Sequence, residues 1–152
     1  MMDKVSQRAG EVFESGYYCA ESVLLAVAEG RGIKSEVIPR IATGFCGGMS
    51  RTCGTCGAVS GGVMAIGLCL GRTTPNESVA PAYGAVGKFS EKFKARFGSI
   101  NCKDLTGCDL GTEEGQNYFK ANNLKEQCKG YTEEAARIAM LLIEEELGNP
   151  GT

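Results

Sequence analysis

Cys53 and Cys56 stand at C-x-x-C spacing inside "GFCGGMSRTCGTCGAVSG", residues 44–61, and Cys46 lies seven residues ahead of Cys53 in the same glycine-rich run. Two thiolates at that spacing grip one metal ion or close a reversible disulfide. The chain carries eight cysteines and no histidine. The missing histidine excludes Ser/His and Cys/His triads, histidine-containing zinc sites and C-x-x-C-H haem attachment. Any site must use sulfur, carboxylate, hydroxyl or backbone groups. In a reducing cytosol, eight cysteines argue for metal binding or thiol redox chemistry rather than structural disulfides.

Helical periodicity supplies the elements that must hold these thiols. Val5, Ala9, Val12 and Phe13 repeat on one helix face, and Gly16 ends that helix. "CAESVLLAVAEG" predicts a second helix over residues 20–29, and Ser35 is expected to cap a third, short one that Pro39 restarts or kinks. A glycine-rich loop over 44–55 leads into a helix from Cys56 or Gly57 to Leu70. The next helix is long, with Val79, Tyr83, Val86, Phe93 and Phe97 as its apolar face and Gly98 as its stop. One helical turn follows Asn101. Thr112 caps a polar helix reaching Ala121. Thr132 caps the last helix, Glu133 to Leu147, with Ala135, Ile138, Ala139, Leu142 and Ile143 facing inward and "GNPG" ending it. No stretch alternates with period two. The expected fold is all-α: a compact single-domain bundle of five to seven helices spanning residues 1–152.

On that map Cys19, Cys56 and Cys102 open helices, and Cys128 lies in a loop a few residues before the last one. Exposed N–H groups and the positive dipole end favour a thiolate at such places, so these four are the first candidates for metal ligands, with thiol pKa values expected to be lowered. Cys46, Cys53 and Cys108 form a second tier of ligands. Cys53 and Cys56 are the catalytic pair if the chemistry is thiol exchange. Cys69, thirteen residues past Cys56 on one helix, faces elsewhere and reads as core packing. Gly57, Ala58 and Gly61 put small residues on neighbouring helical positions. They either let another backbone approach or leave room for a cofactor at the helix start. Arg51 stabilises an anion or is a surface residue. The loop matches neither the phosphate-binding G-x-x-x-x-G-K-[ST] nor a dinucleotide fingerprint, which needs a preceding strand.

The 152 residues suit one domain with a real core, and the net charge of −2 gives no reason to expect nucleic acid or an anionic membrane as partner. "MMDKVSQRAGEVFESG" is amphipathic and charged rather than apolar, unlike a signal peptide. The longest weakly polar run, residues 58–70, is too short to span a bilayer. A cytoplasmic protein without transmembrane segments is expected.

Cys19 in "GYYCAES", "CGAVSG" at 56–61, "INCKDLTGCD" around Cys102 and Cys128 ahead of a final helix resemble the C_GCAxxG_C_C family of redox-active proteins, over nearly the whole chain. The resemblance implies a small helical protein with a redox role, and residue by residue its cysteines correspond to Cys19, Cys56, Cys102 and Cys128. The chain is similar, more distantly, to the helical domain of split-Soret cytochromes, which carries an iron-containing centre; their haem-binding part is absent here. Cys46 and Cys53 stand where many family members have glycine, which leaves a site with more than four sulfurs open. Three functions follow. The first is electron transfer through a cysteine-ligated iron–sulfur cluster, which needs no histidine. The second is a metal-free thiol–disulfide oxidoreductase or redox sensor, using Cys53–Cys56 or a pair across loops. The third is a structural zinc site in an interaction protein. Four or more thiols favour the cluster. The expected partner is a redox protein or oxidoreductase, and a homo-oligomer is also open.

Overall fold

The computed structural model describes residues 1–148. They form α1 (Met2–Glu14), α2 (Cys19–Gly30), a 3-10 helix (Arg40–Phe45), α3 (Cys46–Arg51), α4 (Gly57–Leu70), α5 (Ala80–Phe97), α6 (Cys102–Thr106), α7 (Glu113–Ala121) and α8 (Leu124–Leu147). Among the described residues there is no strand, and Thr55 and Asn101 form an isolated antiparallel bridge. The fold is all-α, as expected. The α-helix count exceeds the expected one because two short turns, α3 and α6, flank the bridge.

Helix α8 is the axis. It packs on α1, α2, α4 and α5, while α2 also packs on α1 and α4. Val5, Ala9, Val12 and Phe13 of α1 are buried at their helical spacing, as are Ala135, Ile138, Ala139, Leu142 and Ile143 of α8. The apolar face of α5 keeps Phe93, with Val86 and Phe97 packed against the core as expected, but not Tyr83. Phe89 and Phe93 are fully buried and Tyr83 is 72% exposed, because Ala85, Phe89 and Phe93 form the stripe that meets α4 and α8. Phe93, Phe97 and Tyr131 of α8 then join edge-on or tilted, with ring centroids 4.8–6.2 Å apart.

Two further expectations need correction. Ser35 caps no α-helix. Its Oγ accepts the Val37 N–H at 3.4 Å within a run of turns, and the 3-10 helix begins at Arg40, right after Pro39. The last helix begins at Leu124 rather than Glu133. Thr132 is an interior residue, fully buried, whose Oγ donates to the Cys128 carbonyl at 2.8 Å. The helix persists through Gly130 because Tyr131 is anchored on both sides, by Phe97 and by a hydrogen bond from its hydroxyl to the Leu105 carbonyl at 3.1 Å. Gly148 caps α8 with φ 76°; the remainder of "GNPG" lies outside the described residues.

Glycines set how closely α4 approaches its neighbours. A Cβ on Gly61 would stand 2.7 Å from the Ala20 carbonyl oxygen and 2.9 Å from its Cα, and the Phe89 ring fills the space beside Gly62. Gly61→Ala is therefore expected to cost about 1–3 kcal/mol, because α2 backbone must move to admit the methyl. Denaturant midpoints of the two proteins measure it, and an unchanged midpoint would contradict the contact.

No described helix is long and apolar enough to cross a membrane.

Candidate functional site

The site grows from the ends of helices. Cys19 is the first residue of α2, Cys56 the N-cap of α4 and Cys102 the first residue of α6. The bridge ties two of them together: the Cys56 N–H donates to the Ile100 carbonyl at 2.7 Å, and the Cys102 N–H donates to the Gly54 carbonyl at 3.0 Å. Cys128 is not in a loop but one turn inside α8, the fifth residue of that helix. Polar residues and Gly130 around it read as a loop; the Tyr131 anchor makes them helix.

Segment 46–51 has an unusual backbone. Gly47, Gly48, Met49, Ser50 and Arg51 all have φ between 56° and 67°, a left-handed turn, and Cys53 follows at φ 61°. Glycine adopts this region freely, whereas each side-chain-bearing residue costs about 1–2 kcal/mol. The turn is held by hydrogen bonds that it makes possible. Gly48 carbonyl accepts the Gly54 N–H at 2.9 Å and the Thr52 N–H at 3.3 Å, and Ser50 Oγ donates to the Gly44 carbonyl at 2.8 Å. The Gly48 backbone thereby lies directly against the Cys102 side chain.

Glu21 ties the neighbouring ends together. Its carboxylate accepts the Tyr18 N–H at 3.0 Å, the Thr43 hydroxyl at 2.8 Å and the Cys46 thiol at 3.7 Å. This joins the start of α2 to the 3-10 helix and to Cys46. The glutamate three residues into "YCAE" is a capping-box signal that sequence alone contains.

All eight cysteines are free thiols. Their electrostatics reverse the expectation of lowered pKa values. Burial pushes Cys19 well above the ordinary thiol range, and nearby Cys56, Cys128 and Cys46 add to it. Cys102 is raised to about 11 by burial, then by Cys56 and Cys108. Cys128 is raised to about 12 by burial, then by Cys56, Cys102 and Cys108. Cys56, common to all three, is raised by burial although the N–H groups of Ala58 and Val59 pull it down. The helix-start effect is real there and is outweighed, because losing water costs a thiolate more than two N–H groups return. Further N–H groups face sulfur: Gly47 toward Cys19, and Glu21 and Ala20 toward Cys46. Tyr131 is raised by burial and then by Cys128 and Cys56, so its ring borders the same cluster. Sequence reading missed Tyr131; its place three residues after Cys128 was the available signal.

These shifts set a pH dependence for the metal-free protein. The folded thiols hold protons that the unfolded chain releases near the ordinary value of 9.0. Their contribution to stability is complete below about pH 9 and is lost as pH rises toward 11, where the folded Cys102 ionises. Denaturant midpoints of metal-free protein across this range should fall, and a flat profile would contradict the burial of these thiols.

The remaining candidates fall elsewhere. Cys53 is partly exposed, and its thiol is raised chiefly by the Asp109 carboxylate, with Lys103 opposing and Cys108 adding to the shift. The two members of the C-x-x-C thus have different principal neighbours. Cys108 is buried, with Sγ 3.6 Å from Thr106 Oγ1. Cys69 is partly buried against the core near Arg31, in line with a packing role. Beside Gly57 and Gly61 the space is filled by Ala20, Phe45 and Cys46 backbone rather than left for a ligand, and Ala58 is fully buried. Arg51 is exposed. As the side chains stand, no group of three or more Cys, Asp or Glu among the described residues is close enough to form a ready-made metal cage.

Comparison with known proteins locates this arrangement. The chain is 31% identical over 112 residues to a protein of Archaeoglobus fulgidus (strain ATCC 49558) that bears the name "Uncharacterized protein"; the match spans 68% of this chain and 74% of that one. No solved structure matches. A family model described as "Putative redox-active protein (C_GCAxxG_C_C)" matches residues 17–142, which contain every one of the eight cysteines. With a match covering most of its length, the chain belongs to the C_GCAxxG_C_C family of redox-active proteins.

Proposed function

We propose that this redox-active protein transfers electrons through an iron–sulfur cluster ligated by Cys19, Cys56, Cys102 and Cys128, and hands them to or takes them from a redox protein or oxidoreductase partner. One observation carries the reading: Cys19 of α2, Cys102 of α6 and Cys128 of α8 each lie near enough to Cys56, at the start of α4, for it to raise their pKa values. When bound, the cluster supplies one-electron chemistry.

The donor set suits that group. It is sulfur only, and several buried thiols that oppose each other's ionisation need a cationic centre to displace their protons. Backbone N–H groups from Gly47, Ala58 and Val59 face the Cys19 and Cys56 sulfurs, and hydrogen bonds to sulfur help to set a cluster's potential. The same raised pKa values weigh against fast thiol exchange at these four positions, since little thiolate is present at neutral pH.

Metal and sulfide analysis of wild-type protein, prepared without oxygen and reconstituted, tests the reading. Stoichiometric iron and sulfide with visible absorption are expected. Iron below about a tenth of an equivalent would overturn it, because a site built for a cluster refills. One equivalent of zinc without iron would favour the structural zinc site instead.

A further inference from the structure

The second pair of loops at this end of the bundle holds thiols that the four-cysteine site does not use. Residues 51–54 lie across the 102–111 segment and touch it at both ends. At one end the Gly54 carbonyl accepts the Cys102 N–H at 3.0 Å. At the other the Arg51 carbonyl oxygen sits against Gly111, 2.7 Å from where a Cβ would be. Cys53, between these two contacts, has Asp109 and Cys108 of the facing loop among its neighbours. Cys108 is kept there by Thr106, whose Oγ1 donates to the Cys102 carbonyl at 2.8 Å and stands 3.6 Å from Cys108 Sγ. Asp109 is locked by its own turn, with Oδ1 accepting the Gly111 N–H at 2.8 Å.

We propose that Cys53 and Cys108 are a second redox centre, a dithiol that a low-molecular-weight disulfide closes into an intramolecular disulfide joining the 51–54 segment to the 107–111 loop. The juxtaposition of those two segments carries it, and the difference in access gives the order of events. Cys53 is partly exposed and Cys108 is 7% exposed. Cys53 sulfur attacks the incoming disulfide RS–SR, forming Cys53–S–SR; the first RS⁻ departs and leaves as RSH with the Cys53 proton. Cys108 sulfur then attacks Cys53 sulfur, and the second RS⁻ leaves as RSH with the Cys108 proton. Two protein thiols are oxidised by two electrons, and one disulfide is reduced to two thiols. Closure fastens the segment leading into Cys56 to the loop leaving Cys102, which places an oxidant-sensitive staple beside the proposed cluster without using its ligands.

Full-length, metal-free protein is incubated with excess oxidised glutathione, the remaining thiols are alkylated, and an unreduced digest is read by mass spectrometry. The expected result is two fewer alkylated cysteines than in reduced protein, with one cross-linked peptide containing Cys53 and Cys108. Cys108→Ser, checked for native helix content, should stop at a glutathione adduct on Cys53. A cross-link between Cys53 and any other cysteine overturns the proposal, as does a lasting adduct on Cys53 of the wild type or no reaction there. The readout does not depend on iron, so failure here and failure of the cluster reading are separate results.

Discussion

Cys56→Ser, prepared without oxygen and reconstituted with iron and sulfide, is expected to carry no stoichiometric iron and to lose visible absorption, while Cys69→Ser keeps both. Serine preserves the size of the side chain and removes a soft sulfur donor. Cys56 is the thiol that Cys19, Cys102 and Cys128 all sense, so its loss takes away the centre of the set rather than an edge. Cys69 lies on the same helix, α4, and packs against the core near Arg31, so it controls for generic loss of a helical cysteine. The variants' helix content by circular dichroism should match wild type. Full iron occupancy in Cys56→Ser would remove Cys56 from the ligand set, and equal loss in both variants would trace the effect to folding.

Gly48→Ala is expected to destabilise the protein by about 3 kcal/mol, one part from forcing alanine into a left-handed conformation and one part from overpacking. Gly48 has φ 67°, and a Cβ there would stand 2.5 Å from Cys102 Cβ and 3.2 Å from the Gly54 carbonyl oxygen. Neither neighbour yields easily. Gly54 is held to Gly48 and to Cys102 by backbone hydrogen bonds, and Cys102 opens α6. The variant should therefore also bind metal less completely, because the methyl displaces a proposed ligand. Gly84→Ala is the contrasting control: nothing lies within 4 Å of its Cβ position, inside α5. It should stabilise by about 0.5–1 kcal/mol through helix propensity. Urea midpoints of the three proteins measure both. A Gly48→Ala midpoint equal to wild type would mean that the left-handed turn does not form as described.

Much of this protein was legible from local patterns. The absence of histidine confined the chemistry to sulfur, carboxylate, hydroxyl or backbone groups. The all-α class followed from periodicity, and Cys19, Cys56 and Cys102 could be set at helix starts because start and stop signals are short-range: Gly16 before α2, glycine after Cys56, Asn101 before α6. Other features depended on partners distant in sequence. The first two turns of α8 are polar and contain Gly130, and they become helix because Tyr131 packs on Phe97 and bonds to Leu105. Gly47 and Gly48 advertised backbone freedom, but Met49, Ser50 and Arg51 enter the left-handed region with them, in a turn pinned through Gly44, Gly54 and Cys102. The C-x-x-C pattern suggested one pair, yet the fold turns Cys53 toward Asp109 and Cys108 and leaves Cys56 with Cys19, Cys102 and Cys128. The sign of the thiol shifts was decided in the same way. A helix start is a local feature that sequence reveals and that lowers a thiol's pKa. Burial is imposed by neighbours from the whole chain, and in this fold the loss of water outweighs the pull of the helix start.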